Sequence, residues 1–314
     1  MVVRVIFFGN STSAFSARYF TAILDAPCDL VGVVDVPAAK QNTTNPLAAG
    51  LLNFVEEAHK LDIPAFQPTD PNTAMFEAKL DELNPDLFIA AGYSIILKER
   101  LLSVPIRLAV NFHASLLPDY RGKHPVFWAL RNGEKWSGLT VHVMDPGIDT
   151  GDIIYQVNIR TRQDDNVETL YERIMNQSVH LVGEIISAAE IDQIPRQPQP
   201  KNAGSYFSST QETDFQIDWR WPASKIQRYI TITPGKCFNV ICGEKVFFFN
   251  ARKETGFTTS PPGALQSVGR TRAAVSVQQG IVSSSLVKTE NGQCESFAAF
   301  CRRHGLFPGD SLTT

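Results

Sequence analysis

The chain has 314 residues, of which 43% are hydrophobic and 19% charged, and its formal net charge is −3. This composition is typical of a folded globular protein, and no run approaches the roughly eighteen apolar residues of a membrane span. The weak net charge also argues against a strongly basic nucleic-acid-binding domain. At this length two domains are expected.

Charge and cysteine usage give two further constraints. Residues 1–200 contain 16 Lys and Arg against 24 Asp and Glu, whereas residues 201–314 contain 13 against 8. Five cysteines occur without a Cys-x-x-Cys pair, and the first residues form an apolar run that lacks the pattern of a signal peptide. We therefore expect a cytoplasmic protein with free thiols and no association with membranes.

Short apolar runs alternate with helical patterns over the first 110 residues. The runs are rich in Val, Ile, Leu and Phe, as is typical of strands buried on both faces of a parallel sheet. Helical periodicity lies between them, at residues 14–25, 51–61, 73–83 and 97–103. The alternation predicts a doubly wound, Rossmann-like α/β domain with strands at Val2–Phe8, Leu30–Val34, Leu87–Ala91 and Leu108–Phe112.

Two more strands and a helix continue this domain. The strands are predicted at Leu139–Met144 and Ile153–Ile159. An apolar stripe along residues 167–186 predicts one long helix, with Asp165 and Glu168 as the capping box at its start.

A Pro-rich segment then marks a change of pattern. Three prolines in six residues, 195–200, are incompatible with a helix or a central strand and predict a stiff linker. Beyond it, short strand-like runs such as Lys245–Phe249 and Ala273–Val277 are separated by Gly and Pro, which predicts a smaller, β-rich, barrel-like domain. We expect a catalytic domain over residues 1–190, a linker over 191–203 and a C-terminal domain over 204–314.

A small polar loop follows the first strand after Gly9. A strand, a polar loop and a helix start can bind anions, because backbone N–H groups point outward there. The loop has one glycine where a dinucleotide fingerprint needs three, so Asp35 on the second strand is not expected to bind a ribose. The loop is either a plain turn or part of the acceptor site, whose residues would be Asn10, Ser11 and Thr12.

Segment 111–125 carries the clearest chemical signal. Asn111 and His113 stand two residues apart at the end of an apolar strand, so both side chains should point to the same side. Ligands of open α/β sheets bind at that end of the strands. A lone histidine there is often structural, and the case for function depends on the residues that accompany it.

A second polar loop, residues 144–152, supplies carboxylates among two glycines and a proline. Acids in such loops are often solvated or capping groups. An amide, an imidazole and a carboxylate at neighbouring strand ends also suit acyl transfer. The amide can stabilise a tetrahedral alkoxide, and a histidine of pKa about 6.5 can accept the amine proton. The carboxylate can orient the imidazole and favour its charged form.

The motif Asn-x-His-x-Ser-Leu-Leu-Pro, followed by Asp-x-Gly-x-Asp-Thr-Gly-Asp, resembles the folate-dependent formyltransferase family. By this resemblance Asn111, His113 and Asp149 are the catalytic residues, and the donor is 10-formyltetrahydrofolate. The donor pocket would be formed by Ala91, Tyr93, Ile95, Leu97, Asp145 and Ile148. Arg121 and Lys123 are predicted to bind the acceptor.

The resemblance extends past the linker. Ile217-Asp-Trp, Pro234-Gly and Phe307-Pro-Gly-Asp are similar to the C-terminal domain of the tRNA- and sugar-modifying members. This makes the glycinamide ribonucleotide branch, which lacks that domain, a poor match.

Two departures bear on the acceptor. The tRNA-modifying members carry a Lys/Arg-rich loop after the second strand, but Pro37–Gly50 contains only Lys40. Binding a polyanion needs many cations, so initiator tRNA is in doubt. Segment 122–130 also looks more like the sugar-modifying branch, although the mildly basic C-terminal part points the other way. We therefore predict transfer to the primary amine of a nucleotide-linked amino sugar, with methionyl-tRNA as the alternative and other amines left open.

Other classes of protein fit less well. His113, His124 and His142 lie near several acids, but no metal-binding signature appears, so no metal is predicted; His142 is a candidate partner of Asp149. No cysteine falls in the motifs and Ser115 has no evident activation, which favours direct transfer. A hydrolase acting on the same donor would be expected to carry an additional regulatory domain, and an inactive binding protein would not need the intact trio. Oligomeric state is left open, with a homodimer as one option.

Overall fold

The computed structural model describes residues 2–41, 52–200 and 202–312. They form two compact units. The first comprises Met1–Val126, Trp136–Arg160 and Tyr171–Ser208, and the second Phe127–Lys135, Thr161–Leu170 and Ser209–Thr314. Within the described ranges, no helix is both long and apolar enough to cross a membrane.

The elements up to residue 207 are strands and helices that alternate as far as β5. In chain order they are β1 (Arg4–Gly9), α1 (Ala14–Leu24), β2 (Asp29–Asp35), a short 3-10 helix (Ala38–Lys40), α2 (Phe54–Lys60), β3 (Ala65–Phe66), α3 (Ala74–Asp81), β4 (Leu87–Ala91), α4 (Glu99–Leu102), β5 (Leu108–His113), β6 (Arg121–Gly122), α5 (Pro125–Asn132), β7 (Trp136–Val143), β8 (Ile153–Arg160), α6 (Val167–Ser178), α7 (Leu181–Glu190) and β9 (Tyr206–Phe207).

Seven strands form one sheet in the order β3-β2-β1-β4-β5-β7-β8. The four pairings from β3 to β5 are parallel, and the pairings of β7 with β5 and β8 are antiparallel. The central strands are buried on both faces, as their continuous apolar sequences predict. The predicted mostly parallel α/β sheet is confirmed.

The predicted long helix is two helices. Ser178, at the end of α6, donates its hydroxyl proton to the carbonyl of Ile174 at 2.6 Å and lies 2.7 Å from the hydroxyl of Tyr19. A serine that bonds back to the carbonyl four residues earlier competes with the helical ladder and bends or ends the helix.

The predicted capping box at the start of α6 is displaced by one residue. Asn166 accepts the N–H of Thr169 at 2.8 Å, while the carboxylate of Asp165 accepts the N–H of Arg162 at 2.6 Å in the preceding turn. Asn166, directly before the first helical residue, is therefore the N-cap. Asparagine is one of the residues preferred at that position.

Residues 209–312 make up most of the second unit and are rich in strands. Their elements are a 3-10 helix (Glu212–Phe215), α8 (Ala223–Ile232), β10 (Phe238–Ile241), β11 (Glu244–Phe249), β12 (Arg252–Glu254), β13 (Leu265–Val268), β14 (Ala273–Val277), β15 (Gly280–Ser284), β16 (Leu286–Thr289), β17 (Cys294–Glu295) and α9 (Phe297–Arg303). The strands form two four-stranded antiparallel sheets, β10-β11-β16-β17 and β12-β15-β14-β13. The β-rich prediction is confirmed, and the described strands form open sheets rather than a closed barrel.

The Pro-rich segment packs along the first unit. The main chain of Gln197 exchanges two hydrogen bonds with Ile153 of β8, at 2.8 and 2.9 Å, and β9 pairs with β6. Prolines leave this segment irregular, but the residues between them still bond to their neighbours. The domain boundaries predicted at 190 and 204 stay a prediction.

Asp35 is a fully buried carboxylate at the end of β2. It accepts hydrogen bonds from the N–H and hydroxyl of Ser11, at 3.0 and 2.7 Å, and from the N–H of Val36 at 2.8 Å. The amides of Gln41 and Gln67 complete the set, at 2.9 and 3.3 Å. A buried charge needs such donors, and here they tie the loop after β1 to β2.

We predict that Asp35→Ala lowers the free energy of unfolding by about 3 kcal/mol, since several buried donors lose their acceptor. Asp29→Ala, at the exposed start of the same strand, removes only a surface ion pair with Arg4 and should cost about 1 kcal/mol or less. Urea denaturation of both variants measures the difference. Equal losses would contradict the role given to Asp35.

Candidate active site

Strand β5 presents Asn111 and His113 at its carboxyl end, two residues apart. On the antiparallel neighbour β7, His142 lies directly opposite Asn111. The side-chain nitrogen Nδ2 of Asn111 is 3.1 Å from Nε2 of His142 and 3.4 Å from Oδ1 of Asp149. The sheet register therefore sets an amide and an imidazole side by side at the strand end where ligands of such sheets bind.

The carboxylate of Asp149 lies at the centre of this cluster. One oxygen accepts the N–H of Gly122 at 2.8 Å and is 3.7 Å from Nδ1 of His113. The other oxygen is 3.3 Å from Nε2 of His142. The side chain is 13% exposed, so the charge is partly shielded from water and depends on these neighbours.

The ring of His113 has a defined orientation. Its Nε2 is 2.8 Å from the carbonyl oxygen of Tyr120, which can only accept, so Nε2 carries a proton. In the neutral ring the lone pair is then on Nδ1, on the side facing Asp149. The residue is buried, with 7% of its surface exposed.

Burial and charge set the ionisation of the pair. Burial lowers the pKa of His113 below its ordinary value and outweighs the upward effects of the Asp149 charge and the Tyr120 carbonyl, while His142 lowers it further. For Asp149, burial raises the pKa, but His113, His142 and the N–H of Gly122 together hold it well below its usual range. At neutral pH the site thus holds an ionised carboxylate beside a neutral imidazole.

Gly122 can make this bond only because it has no side chain. Its φ is +92°, and a Cβ atom would lie 2.2 Å from the carbonyl oxygen of Phe207. β6 and β9 approach closely at this point, which brings the Gly122 N–H to the carboxylate.

Of the predicted donor-pocket residues, Ala91 ends β4 and is in register with Phe112 of β5, and the others on this side follow in the segment after β4. Ala91 and Leu97 are buried and Ile95 is half-buried. Tyr93 packs edge-on against Phe8, and burial raises the pKa of its hydroxyl. Among the described residues, that hydroxyl is buried without a hydrogen-bond partner.

The two donor-pocket residues of the Asp149 loop are less enclosed. Asp145 accepts from the hydroxyl of Thr150 and the N–H of Gly147, at 2.7 and 3.2 Å, so it shapes its own loop. Ile148 is 40% exposed, which leaves an apolar side chain at the surface of that loop.

The predicted acceptor residues are spread over two segments. In the loop after β1, both donors of Ser11 go to Asp35, and Oδ1 of Asn10 accepts from the N–H and hydroxyl of Thr12. Arg121 donates to Gln199, while Lys123 has an exposed side chain. The structure brings Asn111, His113 and Asp149 together; acceptor binding by the other residues stays a prediction.

Two residues of this cluster were not predicted from the sequence, and a third was predicted only as a candidate. His142 was foreseen as a partner of Asp149, but the N–H of Gly122 and the side chain of Gln199 were not. The motif Arg-Gly-Lys offers no sign of the Gly122 bond, and Gln199 stands in a segment read as a linker. The described residues contain no group of three or more His, Cys, Asp or Glu that could hold a metal ion.

Comparisons with known proteins identify the family of this chain. The formyl transferase family model matches residues 3–186, and the model for the C-terminal domain of formyl transferases matches residues 210–305. A methionyl-tRNA formyltransferase from Pseudomonas putida is 30% identical over 298 residues, covering 94% of this chain and 94% of the relative. The chain belongs to the formyl transferase family.

Solved structures show the same fold. An N-formyltransferase from Helicobacter canadensis, in complex with folinic acid and dTDP-3-aminofucose, has a TM-score of 0.65 at 18% identity, covering 91% of this chain and 99% of its own. HypX from Aquifex aeolicus has a TM-score of 0.65 at 16% identity, covering 98% of this chain and 49% of its own. By family, this chain is an enzyme that transfers formyl groups from a formyl-tetrahydrofolate.

We predict that Asn111→Ala and His113→Ala each lower formyl-transfer turnover by about 100-fold, because one oxyanion donor or one proton acceptor contributes about that much. Steady-state assays with a formyl-folate donor measure the effect, and thermal unfolding checks that both variants fold. Asn158→Ala and His180→Ala, at exposed positions of the same residue types, serve as matched controls. Turnover near wild type in either test variant would contradict its assignment.

Proposed function

We propose that the protein transfers the formyl group of 10-formyltetrahydrofolate to a primary amine, with Asn111, His113 and Asp149 as the catalytic residues. The observation that carries this proposal is the carboxylate of Asp149, which faces His113 and Asn111 from one side. A buried, ionised carboxylate beside a neutral imidazole and an amide donor is an arrangement suited to acyl transfer.

The reaction needs three events that this cluster can support. The amine nitrogen attacks the formyl carbon, and the formyl oxygen becomes an alkoxide stabilised by an N–H of Asn111. The amine proton passes to Nδ1 of His113, whose positive charge is then stabilised by Asp149. The bond between the formyl carbon and N10 of the folate then breaks, and the proton held by His113 is delivered to N10. No covalent enzyme intermediate is required.

The donor is a co-substrate, and the end of β4 suits its pteridine. The half-buried Ile95 offers apolar surface near the catalytic strand, and the segment from the buried Ala91 to the buried Leu97 offers main-chain groups. The buried hydroxyl of Tyr93 is a polar group that a bound ligand could satisfy. Asp145 and Ile148 would close the other side of the donor pocket.

Methionyl-tRNA is the acceptor that we now rank first. Three relatives named methionyl-tRNA formyltransferase match 94 to 99% of the chain, including the region of the C-terminal family model, at 28 to 30% identity. That region also carries the positive part of the charge, with 13 Lys and Arg against 8 Asp and Glu over residues 201–314. This ranking reverses the preference that the sequence alone suggested.

A nucleotide-linked amino sugar is the second candidate, for one specific reason. Pro37–Gly50 contains a single cation, Lys40, where binding of a polyanion would favour several. Residues 42–51 lie outside the described residues, so this argument rests on composition. The relative from Helicobacter canadensis was crystallised with an amino-sugar nucleotide, which makes that acceptor class chemically compatible with the fold.

The acceptor is tested by offering charged initiator methionyl-tRNA and a panel of nucleotide-linked amino sugars in parallel assays. We expect formylation of the tRNA with a KM that rises steeply with salt, by a log–log slope of about 0.7 to 0.9 per phosphate contact. The His113→Ala variant is the background control in every reaction.

The outcomes distinguish the two acceptor classes from each other and from a hydrolase. Efficient transfer to a sugar nucleotide with weak salt dependence, and none to tRNA, would replace the acceptor and leave the chemistry intact. Release of formate without any acceptor would point instead to a hydrolase and contradict the proposed transfer.

A further inference from the structure

Gln199, in the Pro-rich segment 195–200, has its whole side-chain amide engaged. Its Nε2 donates to the main-chain carbonyls of Asp149 and Gly151, at 2.9 and 2.8 Å. Its Oε1 accepts from Nε and Nη2 of Arg121, at 3.1 and 2.5 Å. One uncharged side chain therefore joins the loop of the catalytic carboxylate to β6.

The amide can take only one orientation here. Carbonyl oxygens only accept and a guanidinium only donates, so Nε2 must face the loop and Oε1 must face Arg121. A glutamate of the same length could still bond to Arg121, but it would set an acceptor against two carbonyls. The contact to the loop thus requires an amide.

The loop needs to be held at this point. Asp149 has a φ of +54°, a left-handed conformation that is uncommon for residues other than glycine. Its carboxylate is held by the N–H of Gly122 and its main-chain carbonyl by Gln199. Because Arg121 precedes Gly122, both contacts hold Asp149 against the same short strand.

We propose that Gln199 is a positioning residue, which holds the main chain of Asp149 so that its carboxylate faces His113 and Asn111. The structural part of this proposal depends on the contacts alone. Its kinetic part rests on the proposed function, in which Asp149 supports formyl transfer.

Two variants test the role, and one tests its specificity. Gln199→Ala removes all contacts of the amide, while Gln199→Glu keeps an acceptor for Arg121 and removes the donor to the loop. Gln197→Ala is the matched control, because Gln197 lies in the same segment, has an exposed side chain and bonds to Ile153 through its main chain.

The first measurement is independent of activity. Hydrogen exchange of the Gly122 N–H reports whether the Asp149 carboxylate remains in place, since that bond protects the proton. We expect exchange at least about tenfold faster in both Gln199 variants and unchanged in Gln197→Ala. Unchanged exchange in Gln199→Ala and Gln199→Glu would overturn the proposal whatever the activity.

The second measurement is kinetic. We expect turnover to fall by about 10- to 100-fold in both Gln199 variants with little change in KM, because a misplaced catalytic group affects the transition state more than binding. In an Asp149→Asn background, Gln199→Ala should add less than about a threefold loss, since the two residues act through one group. A full additive loss would show a purely structural role and overturn the kinetic part.

The two measurements separate this proposal from the proposed function. If the wild-type protein does not transfer formyl groups but both Gln199 variants expose the Gly122 N–H, the positioning of Asp149 by Gln199 is supported and the proposed function fails.

Discussion

A partly buried negative charge, the carboxylate of Asp149, is the constraint on which the site depends. A charge in that position is costly unless hydrogen-bond donors compensate it, and the N–H of Gly122 and Nδ2 of Asn111 are donors that approach it. The N–H of Gly122 bonds to it directly, and His142 and His113 face its two oxygens. The same set of neighbours places an imidazole where an amine proton could be accepted.

Asp35 shows how the same fold uses a buried carboxylate differently. It lies at the end of β2, and its partners are a serine, a main-chain N–H and two glutamines. These partners are uncharged and tie the loop after β1 to β2, so the effect of Asp35 is structural. Asp149 instead faces two imidazoles, so its charge can stabilise a proton that moves.

The parts of this site that depend on residues close together in the sequence could be predicted from the sequence. Side chains two residues apart on a strand point to the same face, which predicted that Asn111 and His113 lie on one face of β5. The polar loop before β8 identified Asp149 as the candidate carboxylate. Contacts between distant segments were not predictable in this way. Gln199 is fifty residues from Asp149 in a stretch whose prolines suggest a linker, and the division of the predicted long helix depends on Ser178 meeting Tyr19 from α1.

The charge of Asp149 stabilises the protonated form of His113, against the opposing effect of burial. NMR titration of His113 in the wild type and in Asp149→Asn tests it most directly. We expect a wild-type pKa below about 6.5, because burial outweighs the Asp149 charge and the Tyr120 carbonyl, and His142 adds to the lowering. Loss of the carboxylate should lower the pKa further, with the imidazole neutral over a wider range of pH. A pKa that stays the same or rises in the variant would contradict the account.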